Sequence, residues 1–327
     1  MESKMIKINS IIRQSYATFR ILLIAVSTSL VFTSCEQDYI PSTSESQQEI
    51  VVEGYVEVGD STNPVFVVLS KSIPFLSTIN SDKFSELFVK GGNVTVNDGT
   101  KEVTLNEVCL SQLPDDFKKE VGQLLGLNTD SLTTDICIYV DLLNQVTKEE
   151  GRRYDLTVKV GDKTLTATTT VPMRVPLFDF QWRPTPGKDI DTLSELYAKL
   201  SDPAGIQNFY RYLTAIGDGA FIPPFSSVTD DAVFDGKSFD VPIQKAERRG
   251  GDFNPEIFGY YRRGSKVRVK WCSIDKAHFD FWNTRDFSAN SGGPFSSYTR
   301  IATNINGGLG IWGGYAVNFY EFTVPPR

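Results

Sequence analysis

The sequence predicts an all-β protein built as a β-sandwich, followed by a second β-rich sandwich or barrel-like domain carrying one or two short helices. Three features lead there. Short apolar runs rich in β-branched residues recur along most of the chain. Turn residues separate them, as in Asn97-Asp98-Gly99-Thr100 and Gly161-Asp162-Lys163. Helical periodicity is confined to a few segments. Strands of this length and spacing fit packed sheets better than an alternating α/β fold.

The chain opens with a stretch that does not belong to that fold. Lys4, Lys7, Arg13 and Arg20 lead into an apolar run from Ile21 to Phe32, and Thr33-Ser34 precede Cys35. About a dozen apolar residues suffice for a signal-peptide core but fall short of the ~20 that span a bilayer. Small residues before a cysteine suit cleavage beside a diacylglyceryl thioether, so residues 1–34 read as a lipoprotein signal peptide and Cys35 as the lipidation site. Residues 35–49 are polar and aperiodic, and read as a flexible tether. Removing the 34 leader residues from 327 leaves 293; the 33 Lys/Arg and 40 Asp/Glu fall to 29 and 39, a formal charge of −10. That balance argues against nucleic acid as a partner, and it sets an acidic body away from anionic headgroups.

From Ile50 the pattern is β. Ile50 to Val58 and Val65 to Leu69 are two apolar runs separated by Gly59, Asn63 and Pro64. Asn93 to Val96 and Glu102 to Leu105 alternate around an Asp-Gly hairpin signal. Tyr154 to Val160 and Thr164 to Thr170 form a further pair. One amphipathic helix interrupts this region near 114–126, after Pro114, with Phe117, Val121, Leu124 and Leu125 on one face. Setting Cys35 aside leaves three cysteines. Cys109 and Cys137 bracket the helical insertion and are either a disulfide closing that loop or two buried thiols.

Val171-Pro172-Met173-Arg174-Val175-Pro176 is a stiff connector. It places a boundary between an N-terminal domain, 50–171, and a C-terminal one, 177–327. In the second half, 193–200 is compatible with a short helix or a strand, and Asn208 to Leu213 reads as a strand. Ser238 to Ile243 and Lys266 to Ile274 are strands, the latter alternating basic with apolar residues and so presenting a solvated face. Asp275 is placed to cap a helix from Lys276 to about Phe287. Gly307-Gly308-Leu309-Gly310 precedes a final strand from Tyr315 to Val324 and reads as a site of close backbone packing.

Candidate chemistry is sparse. With His278 the single histidine, a Ser-His-Asp triad needs that residue and a multi-histidine metal site is impossible. Its place beside aromatics points to a packed or surface role. Asp230 to Gly236 lacks the spacing of a calcium loop and reads as a turn at Asp235-Gly236-Lys237. Trp182, Trp271, Trp282 and Trp312 are either core or a stacking platform. No catalytic residue, metal ligand or cofactor site is marked out.

One resemblance adds to this reading. Ser34-Cys35, Ile50-Val51-Val52-Glu53-Gly54-Tyr55, Leu69-Ser70-Lys71-Ser72, Asn208-Phe209-Tyr210-Arg211, Phe234-Asp235-Gly236-Lys237 and Phe281-Trp282 all contribute to it. It is strongest at Gly293-Pro294-Phe295 and from Thr303 to Gly313. The chain resembles the DUF4249 family of Bacteroidota lipoproteins. The acidic residues behind Cys35 resemble the surface-export signal of such lipoproteins. The resemblance implies a transthyretin- or Ig-like N-terminal sandwich and an outer-membrane, outward-facing location. It also implies partnership with a TonB-dependent receptor. The expectation is a non-enzymatic accessory, anchored to lipid through acylated Cys35, without a cofactor. The alternatives are a structural or adhesive surface protein and a carboxylate-dependent surface hydrolase.

Overall fold

The computed structural model describes residues 48–60, 63–73, 86–112, 118, 136–186, 191–247, 254–290 and 300–326. The leader, Cys35, most of the tether and, apart from Lys118, the helix expected at 114–126 lie outside them.

The first half supplies β1 (Ile50–Gly59), β2 (Phe66–Lys71), β3 (Asn93–Asn97), β4 (Glu102–Thr104), β5 (Asn106–Cys109), β6 (Cys137–Val140), β7 (Arg153–Val160) and β8 (Lys163–Thr170). The second supplies β9 (Leu177–Arg183), β10 (Leu193–Ser201), β11 (Phe209–Ile216), β12 (Val228–Asp230), β13 (Ser238–Pro242), β14 (Tyr261–Arg262) and β15 (Lys266–Ile274). The helix α1 (Lys276–Asn290) and the long strand β16 (Leu309–Thr323) follow. The segment at 193–200, open to either reading in the sequence, is thus the strand β10.

Three sheets result. The largest runs β12-β11-β15-β16-β1-β2-β6-β5, and two four-stranded sheets are β4-β3-β7-β8 and β13-β10-β14 with β9 beside β10. Alternation along each strand decides which face meets which partner. Val52, Val56 and Val58 of β1, with Trp312 and Ala316 of β16, pack with Val94, Val96, Leu156, Val158 and Leu165 of the β4-β3-β7-β8 sheet. Val267, Val269 and Trp271 of β15 pack with Leu196, Ala198 and Leu200 of β10. Both small sheets therefore cover one face of the large sheet. Its opposite face, through Tyr55, Cys272, Ile311 and Tyr315, receives Phe279, Phe281 and Trp282 of α1. The architecture is all-β and sandwich-like, and the described residues form no closed barrel.

The boundary expected between 171 and 177 is not a break in this fold. Residues 47–327 form one compact unit. Four strands of the large sheet come from each side of the connector, joined where β1 runs parallel to β16 from Val51↔Leu309 to Gly59↔Val317. The connector is itself docked on β15: the Val175 N–H donates to Ser273 Oγ at 3.1 Å and the Trp271 indole donates to Val175 O at 2.9 Å. Local composition marks a stiff segment; the pairing of the first strand with the last lies outside its reach.

The β1–β16 junction explains the glycine-rich block before the last strand. Gly310 has φ +105°, and a Cβ there would sit 1.9 Å from Val52 O. Only glycine lets β16 enter beside β1. Asn304 then acts as a substitute strand for Trp312, accepting its N–H at 2.9 Å and donating to its carbonyl at 2.7 Å.

Asp275 caps α1 as expected, its Oδ1 accepting the His278 N–H at 2.8 Å. Its other oxygen accepts from Thr169 Oγ1 at 2.6 Å, and that hydroxyl accepts the Gly314 N–H at 2.6 Å. The cap thus fastens the helix to β8 and β16 together. Among the described residues no helix is long and apolar enough to cross a membrane.

Candidate functional site

The face of the large sheet under α1 carries more polar groups than a core normally holds. Strand alternation puts Glu53, Tyr55 and Glu57 of β1 on that face, with Tyr315 of β16, Lys270 and Cys272 of β15, and Arg211 of β11. On α1, His278, Trp282, Arg285 and Asp286 follow the helical spacing of one face. The two sets meet.

Glu57 is 3 % exposed. Its carboxylate accepts from Lys270 Nζ at 2.8 Å and from the Tyr315 hydroxyl at 2.5 Å. Burial raises the Tyr315 hydroxyl well above its ordinary pKa, and the Glu57 charge adds to it. Burial also pushes the free thiol of Cys272 up to about 12. That thiol is inert packing rather than a nucleophile. The face of β15 expected to be solvated is therefore covered from Lys270 onward. A cation does sit on it, but paired in the interior.

His278 is 1 % exposed, and neither ring nitrogen meets a partner in good hydrogen-bond geometry, although the Gly314 backbone is close enough to act on the ring. Its ring lies among Tyr55, Tyr315 and Trp282, with centroids at 5.6, 5.4 and 6.5 Å. Gly313 makes room beneath it, since a Cβ there would approach Nδ1 to 2.7 Å. Burial holds the imidazole well below its ordinary pKa, and the charges of Arg211 and Lys270 depress it further, opposed only weakly by the Gly314 backbone. It is a neutral, packed histidine. Beside it Arg211 lies over the Trp282 indole, Cζ 3.6 Å from the ring centroid, and Arg285 approaches the same indole at 5.1 Å.

The four tryptophans divide. Trp271 and Trp312 are fully buried, 1 % and 0 % exposed, while Trp182 and Trp282 are half-buried. Core packing accounts for the first pair, as Trp312 shows by donating to Tyr154 O at 3.1 Å.

Two further clusters contain metal-ligating residue types. Cys109 and Cys137 face one another in the β5–β6 register and are joined by a disulfide, so with neighbouring Glu107 they offer no thiolate. Asp202, Asp231 and Asp235 place carboxylate oxygens within 4.8 Å of one another, a donor set of the kind divalent cations take. Each already accepts a backbone N–H: Asp202 from Gly236 at 3.2 Å, Asp231 from Asn208 at 2.6 Å, Asp235 from Gly205 at 2.8 Å. Asp202 also accepts from Tyr210 Oη at 2.5 Å. The turn at Asp235-Gly236-Lys237 forms as expected, with φ +68° at Gly236. Its contact with Asp202 was hidden because that residue arrives from another strand end.

Arg211, Glu57, Lys270 and Tyr315 were not singled out by the sequence. A signal existed. Glu57 stands between Val56 and Val58, and Lys270 between Val269 and Trp271, so each is a charge inside a strand whose neighbours are buried.

Together the fold and this face define an all-β protein with the helix α1 laid over a buried polar cluster. The family described as a domain of unknown function, DUF4249, matches residues 36–320, and the chain belongs to it. No curated protein matches the chain.

Proposed function

We propose that the mature protein begins at Cys35, is acylated there, and serves on the outer face of the outer membrane as a non-enzymatic accessory. Its partner is a TonB-dependent receptor or that receptor's ligand. The observation that carries the proposal is the leader from Lys4 to Cys35 followed by a polar tether. The length of 35–49, fifteen residues, would reach at most about 50 Å if fully extended, enough for an acidic body to stand clear of the lipid. The surroundings of His278 support the non-enzymatic part: aromatic rings lie around it, and among the described residues no hydroxyl or carboxylate orients it as a base. The aspartate cluster supports it too, because each of its carboxylates accepts a backbone N–H and so has a structural task in holding the loops together.

Metabolic labelling with an alkyne fatty acid, followed by protease treatment of intact cells, tests this reading. The expected result is a labelled protein that loses label in Cys35→Ala and is digested from outside. A labelled protein that resists protease until cells are opened would place it on the inner leaflet side and remove the surface role. An unlabelled wild-type protein would remove the anchor.

A further inference from the structure

We propose that Arg211, Trp282 and His278 form a binding site for a small oxyanion, a carboxylate or a tetrahedral phosphate or sulfate group, at the edge of α1. Such a site is independent of the lipid anchor.

Unmatched hydrogen-bond capacity is the first reason. Arg211 Nε and Trp282 Nε1 are buried without a partner, and the His278 nitrogens have none in good geometry, the Gly314 backbone acting on that ring only weakly. A guanidinium and an indole only donate, and a neutral imidazole offers one donor. Enclosed donors without an acceptor are costly, at about 1–3 kcal/mol each, and they sit together here. The Arg211 guanidinium lies 3.6 Å over the Trp282 ring, whose centroid is 6.5 Å from that of His278.

Charge points the same way. Lys270, on the neighbouring strand, is neutralised by Glu57 at 2.8 Å. Arg211 has no such carboxylate among the described residues. Asp286, on the same helix, accepts the Ser227 N–H at 3.2 Å and its hydroxyl at 2.7 Å and pairs with Arg285, so it reaches Arg211 only as a longer-range charge. Arg285, itself only 3.5 Å from Asp286, adds a second guanidinium 5.1 Å from the same indole. Two guanidiniums thus share this edge of α1 with the single carboxylate of Asp286, and Arg211 is the one without a close ion pair among the described residues.

Access fits as well. Arg211 and Trp282 are half-buried while His278 behind them is closed off. A guanidinium edge matches a carboxylate or phosphate with two parallel N–H donors.

The single histidine makes the site directly observable. The full mature protein is titrated with sodium acetate, phosphate or sulfate at constant ionic strength, with chloride as reference, while the His278 ring and tryptophan indole N–H resonances are followed by NMR. Trp282→Phe assigns the indole. The expected result is saturable movement of His278 and Trp282 with acetate, or with phosphate and sulfate, while Trp271 and Trp312 stay still. Arg211→Gln should weaken it at least about tenfold, the loss of one charge-assisted contact. If that variant fails to fold, Arg285→Gln, where the side chain is 42 % exposed, should weaken binding by a smaller factor. Saturation by acetate alone identifies a carboxylate site; saturation by the tetrahedral ions identifies a phosphate or sulfate site. Movement that is linear in salt, equal for chloride, or unchanged in Arg211→Gln or in Arg285→Gln would overturn the proposal.

Discussion

Glu57 on β1 and Tyr315 on β16 meet as carboxylate and phenol hydroxyl at 2.5 Å across 258 residues of chain. The first and last strands described are thus neighbours in one sheet, and the polar cluster under α1 straddles their junction. Lys270 completes the triad from β15. Burying a carboxylate here is tolerable because its charge is matched.

Removing one partner should therefore cost more than removing both. Lys270→Met leaves Glu57 charged and enclosed, and is expected to lower stability by about 3–5 kcal/mol. The double change Lys270→Met with Glu57→Gln should recover most of that loss. Urea unfolding of the two variants checks it; equal destabilisation of single and double variants would refute the pairing.

Acid should loosen α1 through His278. Its folded pKa is depressed by burial and by Arg211 and Lys270, while the unfolded value stays at 6.5. Above pH 6.5 both states carry a neutral ring and the histidine has no effect. Below it the unfolded chain binds a proton that the fold refuses, so stability falls with pH by up to about 1.4 kcal/mol per unit. Tyr55 and Tyr315, also facing the ring, stay protonated throughout. Urea midpoints at about pH 7.5 and 5.5, on either side of the free-histidine range, isolate the effect when wild type is compared with His278→Gln. The variant should show the flatter profile.

The strand junction should be intolerant of a single methyl group. Gly310→Ala brings a Cβ to 1.9 Å from Val52 O at φ +105° and is expected to destabilise by more than about 4 kcal/mol or to abolish soluble expression. Gly99→Ala, also at positive φ but with open space around it, should cost only about 1 kcal/mol. Thermal melts of the pair distinguish a steric junction from a general glycine effect.

The Cys109–Cys137 disulfide closes a separation of 28 residues and should contribute about 3.5 kcal/mol by constraining the unfolded chain. Cys109→Ser with Cys137→Ser is expected to shift the unfolding midpoint accordingly. Non-reducing peptide mapping should recover the pair from the native protein.

Much of the local structure was legible. The strands at Ile50 to Val58 and Lys266 to Ile274 announced themselves by their β-branched and alternating residues. Asp98-Gly99 announced the turn between β3 and β4, and Asp275 before Lys276 announced a helix start. The glycines before Tyr315 mark close packing in the sequence and make it in the structure. What escaped was partnership. The Val171–Pro176 connector read as a boundary because stiffness is a local property, whereas the β1–β16 ladder that unites the halves pairs Val51 with Leu309. Arg211 escaped for the same reason: alternation placed it on a strand, and only α1, arriving from residues 276–290, shows what it faces.

A protein that works on the cell surface beside a TonB-dependent receptor should be captured there with it. Cross-linking intact cells, isolating the tagged protein from their membranes and identifying what is covalently joined to it tests this most directly. A TonB-dependent outer-membrane receptor, enriched over the Cys35→Ala control, is the expected product. Recovery of the anchored protein without any such receptor would contradict the proposed role.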